Sequence, residues 1–265
     1  MILLDDLNRE VELVNNPQRI ISLVPSITEL LFDLGLAEQI VGRTDFCIYP
    51  RNKVDKVKKI GGTKDFCLDE IRELKPDLII AVKEENSKEL VTEIAIEFPT
   101  VVFDIVDIKS AIRMINIIGE ITSKQQFSKN IIIEINERMA LLEEKSIETK
   151  TACYLIWHKP MMSINKQTFI SEMMNIAGFR NKFDSKKDYY PIIDKEDLES
   201  KPPEYILLSS EPFPFNQKHQ QNYQEQYPNS KVVLVSGEMF SWYGSRMIKA
   251  LDYFVNEIEL IKNGS

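Results

Sequence analysis

Two stretches of this chain read almost alike. LDEIRELKPDLIIA occupies 68–81 and KEDLESKPPEYILLS occupies 195–209. Each begins as a charged helix, meets proline (Pro76 in one, Pro202 and Pro203 in the other) and continues as a short apolar run. Proline stops a helix, and an apolar run of that length reads as a buried strand. The echo extends both ways along the chain. RIISLVP (19–25) and TACYLIW (151–157) are predicted strands, and TVVFDI (100–105) and KVVLV (231–235) are the last strand of each copy. SITELLFDLGL (26–36) and QTFISEMMNIAGF (167–179) are predicted helices closed by Gly35 and Gly178. In the first of these, Ser26 is the expected cap and Glu29 completes a capping box. Shared landmarks recur after roughly 130–140 residues, which marks duplication of a whole lobe rather than a solenoid repeat. Strands alternating with helices predict an α/β fold, with a parallel sheet in each lobe covered on both faces.

Between the copies, 107–147 holds no proline and only Gly119. Ile112, Ile115, Ile118 and Ile121, then Ile131, Ile132, Ile135, Met139 and Leu142, recur with helical periodicity. A helix of about 16 residues spans about 24 Å and acts as a stiff spacer. The expected organisation is an N-terminal lobe over 1–105, a backbone helix over 106–124 and a C-terminal lobe over 125–265.

Composition narrows the function. A net charge of −8 argues against a nucleic-acid partner, which needs clustered cations. The lysine-rich run RNKVDKVKK (51–59) reads as a solvated loop. No apolar run is long enough to insert in a membrane. The three cysteines, Cys47, Cys67 and Cys153, form no C-x-x-C, and buried free thiols are expected, a Cys47–Cys67 disulfide being the alternative. Met1 leads into ILLDDLNREVEL with no signal-like segment, so the chain is cytoplasmic if Met1 is the native start.

Ligands of parallel sheets sit beyond the carboxyl ends of the strands. Those ends carry VPSITE (24–29), TDFCIYP (44–50), GGTKDF (61–66), VKEEN (82–86), WHKPMM (157–162) and GEMFSWYGSR (237–246). Phe46, Tyr49, Phe66, Trp157, Phe240, Trp242 and Tyr243 are expected to wall a cleft between the lobes, with Lys64, Lys83 and Arg246 supplying positive charge. Such a cleft suits a large, partly flat ligand with acidic or amide edges. Arg246 begins a helix, where a cation opposes the dipole, so an anionic partner is expected there. His158 reads as a polar loop residue before a metal ligand, and His219 as solvent-exposed. No G-x-G-x-x-G, P-loop, G-x-S-x-G or H-E-x-x-H occurs, and the two histidines have no evident triad partner, so the chain reads as a binder and not an enzyme.

LLDDLNREVELVNNPQRIISLVPSITELLFDLGLAEQIVGRTDFCIYP resembles the opening of the iron-siderophore and cobalamin substrate-binding proteins of ABC importers, the helical-backbone metal receptors. KKIGGTKDFCLDEIRELKPDLIIA, TFISEMMNIAGFRNKF and KEDLESKPPEYILL continue the likeness over nearly the whole chain. The resemblance implies two Rossmann-like lobes joined by one long helix, the class III periplasmic-binding-protein architecture, with a metal chelate as ligand, no intrinsic cofactor and a cell-envelope location. It places ligand-binding residues at Phe46, Thr63, Lys64, Val82, Trp157 and the loop Ser241–Arg246. Thr63 and Val82 stand where a cobalamin receptor would carry Trp, which leaves ferric siderophores and haem open beside corrinoids. It also implies docking of Asp69 and Glu196 onto a permease, although both carboxylates would equally stabilise their own helix starts. A monomeric importer component is the leading expectation. A cytoplasmic chelate carrier on the same fold is the alternative, and an enzyme using His158 as base the weaker one.

Overall fold

A computed structural model describes residues 1–144 and 148–263. Residues 145–147 and 264–265, within the expected spacer stretch and second lobe, lie outside the described residues. The chain divides into two compact units. The first comprises Met1–Ile105, Lys109–Ile135 and Trp242–Met247; the second comprises Val106–Ile108, Asn136–Ser241 and Ile248–Ser265.

The first unit opens with an antiparallel hairpin, β1 (Ile2–Leu4) and β2 (Glu10–Glu12). Its turn is held by the buried Asp5 carboxylate, which accepts from the backbone of Leu7 and Arg9 and from the Arg9 guanidinium. The main sheet follows: β3 (Ile20–Ser22), helix α1 (Pro25–Asp33), β4 (Ile40–Arg43), β5 (Lys58–Lys59), α2 (Leu68–Leu74), β6 (Leu78–Val82), α3 (Lys88–Ile94) and β7 (Thr100–Phe103). All neighbouring strands are parallel, in the order β5-β4-β3-β6-β7. Strands β3, β6 and β7 are buried on both faces because helices cover both, with Ile21, Ile60, Phe66, Ile71, Ile79 and Val91 in one core layer.

Helix α1 starts one residue earlier than expected. Pro25 takes its first turn and Val24 the cap position, so Ser26 makes no cap and Glu29 no capping box. Gly35 ends the helix at φ +74°, a conformation that suits a residue without Cβ.

The stretch between the copies forms two helices, α4 (Ile108–Ile121), within the range expected for the backbone helix, and α5 (Gln125–Glu144), with Ser123 at φ +57° between them. Met114, Ile115, Ile118 and Ile121 form the buried stripe of α4. The expected boundary at 125 therefore shifts, since residues 125–135 group with the first unit, as do Trp242–Met247.

The second unit contains β8 (Lys150–Leu155), α6 (Phe169–Ile176), β9 (Phe179–Asn181), α7 (Lys195–Glu199), β10 (Tyr205–Ser209), α8 (Gln217–Gln226), β11 (Lys231–Val235), the single turn α9 (Glu238–Ser241) and α10 (Arg246–Tyr253), which the division crosses. A π turn at Phe254–Ile258 leads into α11 (Glu259–Asn263). Its sheet is also parallel, in the order β11-β10-β8-β9. Thr168 caps α6, and Asp194 with Asp197 forms a capping box on α7. Without β5, the first sheet reads β4-β3-β6-β7, the same path as β9-β8-β10-β11. The repeated α2–β6 and α7–β10 motifs are the same crossover in the two sheets.

Candidate functional site

In each sheet the strand order reverses once, between β3 and β6 in the first unit and between β8 and β10 in the second. A crevice opens at the carboxyl ends of such a strand pair because the chain leaves them in opposite directions. In the first unit Asn86 occupies that place. Its side chain accepts from Val82 N (2.8 Å) and donates to Leu23 O (2.9 Å) and Thr63 O (3.0 Å). One buried amide thus ties the loops after β3, β5 and β6 together.

Beside this knot lies the segment Trp242–Met247. Arg246 is 4 % exposed, and its Nε donates to Glu29 Oε2 of α1 at 2.7 Å. Its guanidinium carbon sits 4.0 Å from the Tyr49 ring centroid and 5.1 Å from Trp242. Tyr49 and Trp242 meet edge to face at 5.7 Å. The anion expected opposite Arg246 is therefore an internal carboxylate, and the cation also packs against two rings. Tyr243 is buried, and its hydroxyl lies 3.5 Å from Glu85 Oε1. Burial, together with Glu85 and Glu84, holds that phenol well above its ordinary pKa. Gly244 adopts φ +80°, and a Cβ there would stand 3.3 Å from Leu30 Cβ and 3.4 Å from Ser26 O of α1, a bend that favours glycine.

The two lysines expected to face an acidic ligand both have protein partners. Lys64 Nζ donates to the carbonyls of Glu84 and Asn86, and Lys83 Nζ to Asp104 Oδ2 at 2.5 Å. Strand-end carbonyls and a carboxylate need donors, and these side chains are the nearest ones. Glu84 is pushed up to about 7 by burial and by the negative charges of Glu85 and Asp104, against the pull of Lys64. Thr63 is half-buried and offers its carbonyl to Asn86. Phe46 is 59 % exposed, whereas Phe66 belongs to the core and forms no open wall.

In the second unit Trp157 follows β8 and Phe213 follows β10, and they meet edge to face at 5.6 Å, at the point where the order reverses. Trp157 is 39 % exposed, and its Nε1 donates to Lys159 O. His158 Nδ1 lies 3.0 Å from Tyr223 OH, and its ring is 5.2 Å from that of His219. Burial, His219 and Lys159 lower the pKa of His158. His219 is not simply solvated. It accepts from Asn216 N as part of the α8 cap and packs on Phe213 and Phe215.

Phe240 departs from its expected role. It is fully buried against Tyr154 and Phe254, because the turn α9 aims it into the core of the second unit. Ser241 Oγ donates to Glu211 Oε1 at 2.6 Å. Asp69 and Glu196 both stand in first helical turns and are exposed, with Asp69 3.0 Å from Arg72. All three cysteines are free; Cys47 and Cys153 are buried, but Cys67 is exposed, unlike the expected buried thiol. Among the described residues no group of three or more His, Cys, Asp or Glu side chains could hold a metal ion, and no helix is long and apolar enough to cross a membrane.

Sequence reading placed Glu29 and Asn86 in the strand-end loops without giving them a part in the site, and it missed Phe213. Phe213 was within reach: the loop after β10, SEPFPF, is the duplicate of VKEEN after β6. Glu29 was masked because Ser-x-x-Glu also spells a capping box.

The chain is 26 % identical over 253 residues to a vitamin B12-binding protein of Photorhabdus laumondii subsp. laumondii, covering 94 % of this chain and 90 % of that one. It is 27 % identical over 187 residues to an uncharacterized ABC transporter substrate-binding lipoprotein, YvrC, of Bacillus subtilis, covering 67 % and 59 %. Among solved structures, the periplasmic vitamin B12 binding protein BtuF of Vibrio cholerae superposes with a TM-score of 0.81 at 20 % identity, over 95 % of this chain and all of that one. This likeness establishes the shared fold. The sequence pattern of the periplasmic binding proteins matches residues 20–228, and with the two parallel sheets described above it places the chain in the periplasmic binding protein family.

Proposed function

We propose that this protein is the substrate-binding component of an ABC importer and that it captures a metal chelate, a corrinoid ahead of a ferric siderophore or haem. The observation that carries the reading is a partly open ring on a strand-end loop in each unit: Phe46 after β4, 59 % exposed, and Trp157 after β8, 39 % exposed. Large apolar rings in such loops cover the faces of a flat guest, and their exposure is the cost borne while the site is empty. Tyr49, Trp242 and Tyr243 add further rings in the first unit, where they pack with Arg246 and Glu85. Relatives named for vitamin B12 and for ABC transport support the ligand class and the importer role.

The role is capture without chemistry. The functional partners are the small-molecule chelate and a permease, met in the cell envelope through Asp69 and Glu196. Tryptophan-fluorescence titration with cobalamin, cobinamide, haem and ferric siderophores tests the proposal. One of them quenches Trp157 with a saturable isotherm, and Trp157→Ala weakens that ligand about tenfold or more, as loss of a stacked ring does. No saturable binding of any of the four classes overturns the reading.

A further inference from the structure

The run RNKVDKVKK does more than solvate the surface. Together with the end of β4 and the loop after it, it lines an open cavity of about 380 Å³ in the first unit, whose polar lining is Arg43, Arg51, Lys59, Asn52 and two carboxylates, Asp45 and Asp55. Cations outnumber carboxylates in the lining, three to two, in a chain whose net charge is −8. The central group is Arg43, whose side chain is 3 % exposed. Its Nε donates to Val54 O and its Nη1 to Thr44 O, both at 3.1 Å, which fixes the plane of the guanidinium. Its Nη2 has Asp55 at 3.8 Å, beyond hydrogen-bond reach, and that carboxylate is 74 % exposed. That ion pair is long, and an oxyanion in the cavity would offer Nη2 a closer acceptor. Lys59 makes a 3.4 Å surface pair with Asp45, which an incoming dianion would outcompete.

We infer that Arg43, Arg51 and Lys59 form a binding site for a phosphate group. Arg43 presents its fixed edge, and the exposed Arg51 and Lys59 close from the rim. The volume exceeds that of the bare ion and falls in the range of small-ligand sites, so it admits phosphate carried by a larger molecule. The inference stands on the cavity alone and does not require the chelate reading.

Calorimetric titration with inorganic phosphate, at constant ionic strength against chloride, tests it. The wild type binds phosphate with a saturable isotherm. Arg51→Ala and Lys59→Ala, both surface changes, each weaken it about tenfold. Asp55→Asn removes the competing carboxylate and tightens it about threefold. Phosphate that lowers the apparent affinity for cobalamin, whose nucleotide arm carries a phosphodiester, identifies the ligand's own arm as the source. Phosphate that binds independently of cobalamin identifies the free ion. Absence of saturable phosphate binding in the wild type, or equal binding by all three variants and the wild type, overturns the inference, whatever the chelate titration gives.

Discussion

Glu29 and Arg246 are 217 positions apart, almost wholly buried, and joined at 2.7 Å. Neither charge tolerates burial alone, so each explains the other's presence. Arg246→Ala leaves the Glu29 carboxylate in a dry site and is expected to cost about 3–5 kcal/mol in guanidinium unfolding. The double change Glu29→Met with Arg246→Met removes both charges and costs much less, which separates a buried pair from mere packing. Glu84 gives the opposite sign of pH effect from a paired carboxylate. The folded protein holds its proton up to about pH 7, whereas the ordinary value is 4.5. Between those limits the folded state binds more protons than the unfolded chain, so this group's contribution is full below pH 4.5 and falls as pH rises to about 7. Glu84→Gln is expected to be more stable than the wild type by an amount that grows across that window and stays level above it. Denaturation midpoints collected at a series of pH values check this.

At the scale of elements, the duplicated crossover was legible because its signals are local: a proline stop, an apolar run and a closing glycine. Gly35 and Gly178 end their helices at φ +74° and +76° as the sequence implies. The spacer was only half legible. Isoleucine periodicity runs through 107–142, but it cannot report the turn at Ser123 that separates α4 from α5. The trace of that turn is Gly119. A Cβ built there would stand 2.1 Å from Ser128 Oγ and 2.5 Å from Ser128 Cβ, so the two helices touch through a missing side chain. Gly119→Ala raises helix propensity by about 1 kcal/mol yet is expected to destabilise the protein by about 1–3 kcal/mol, since the helices must separate. Combining it with Ser128→Gly restores part of the loss in the same unfolding assay. The site was legible as a set of loops but not as a set of contacts. Phe240, Trp242 and Tyr243 are adjacent in sequence and aromatic alike, yet Phe240 fills the second unit's core while the other two pack in the first. The one-turn helix that divides them leaves no mark in composition.

At the scale of the whole molecule, capture and delivery ask different things of the same chain, and the surface carboxylates let them be separated. Asp69 and Glu196 begin α2 and α7, the two helices of the duplicated motif, and both are exposed. Asp69 shares Arg72 with Glu93 and Glu97, so its own pair is one arm of an exposed network. An exposed pair of that kind contributes about 0–1 kcal/mol, and a carboxylate in a first helical turn about as much again. Reversing both charges, Asp69→Lys with Glu196→Lys, therefore leaves folding nearly intact. It also leaves Phe46 and Trp157 untouched, so chelate affinity in solution is expected to match the wild type. A permease that receives the protein through cations would meet repulsion at two points instead of attraction. Ligand-dependent stimulation of the importer's ATP hydrolysis should then fall by about tenfold or more, and more steeply at low salt, where surface charges act over longer distances. Undiminished stimulation with normal chelate binding would assign both carboxylates to helix stability alone and move the docking surface elsewhere on the two units.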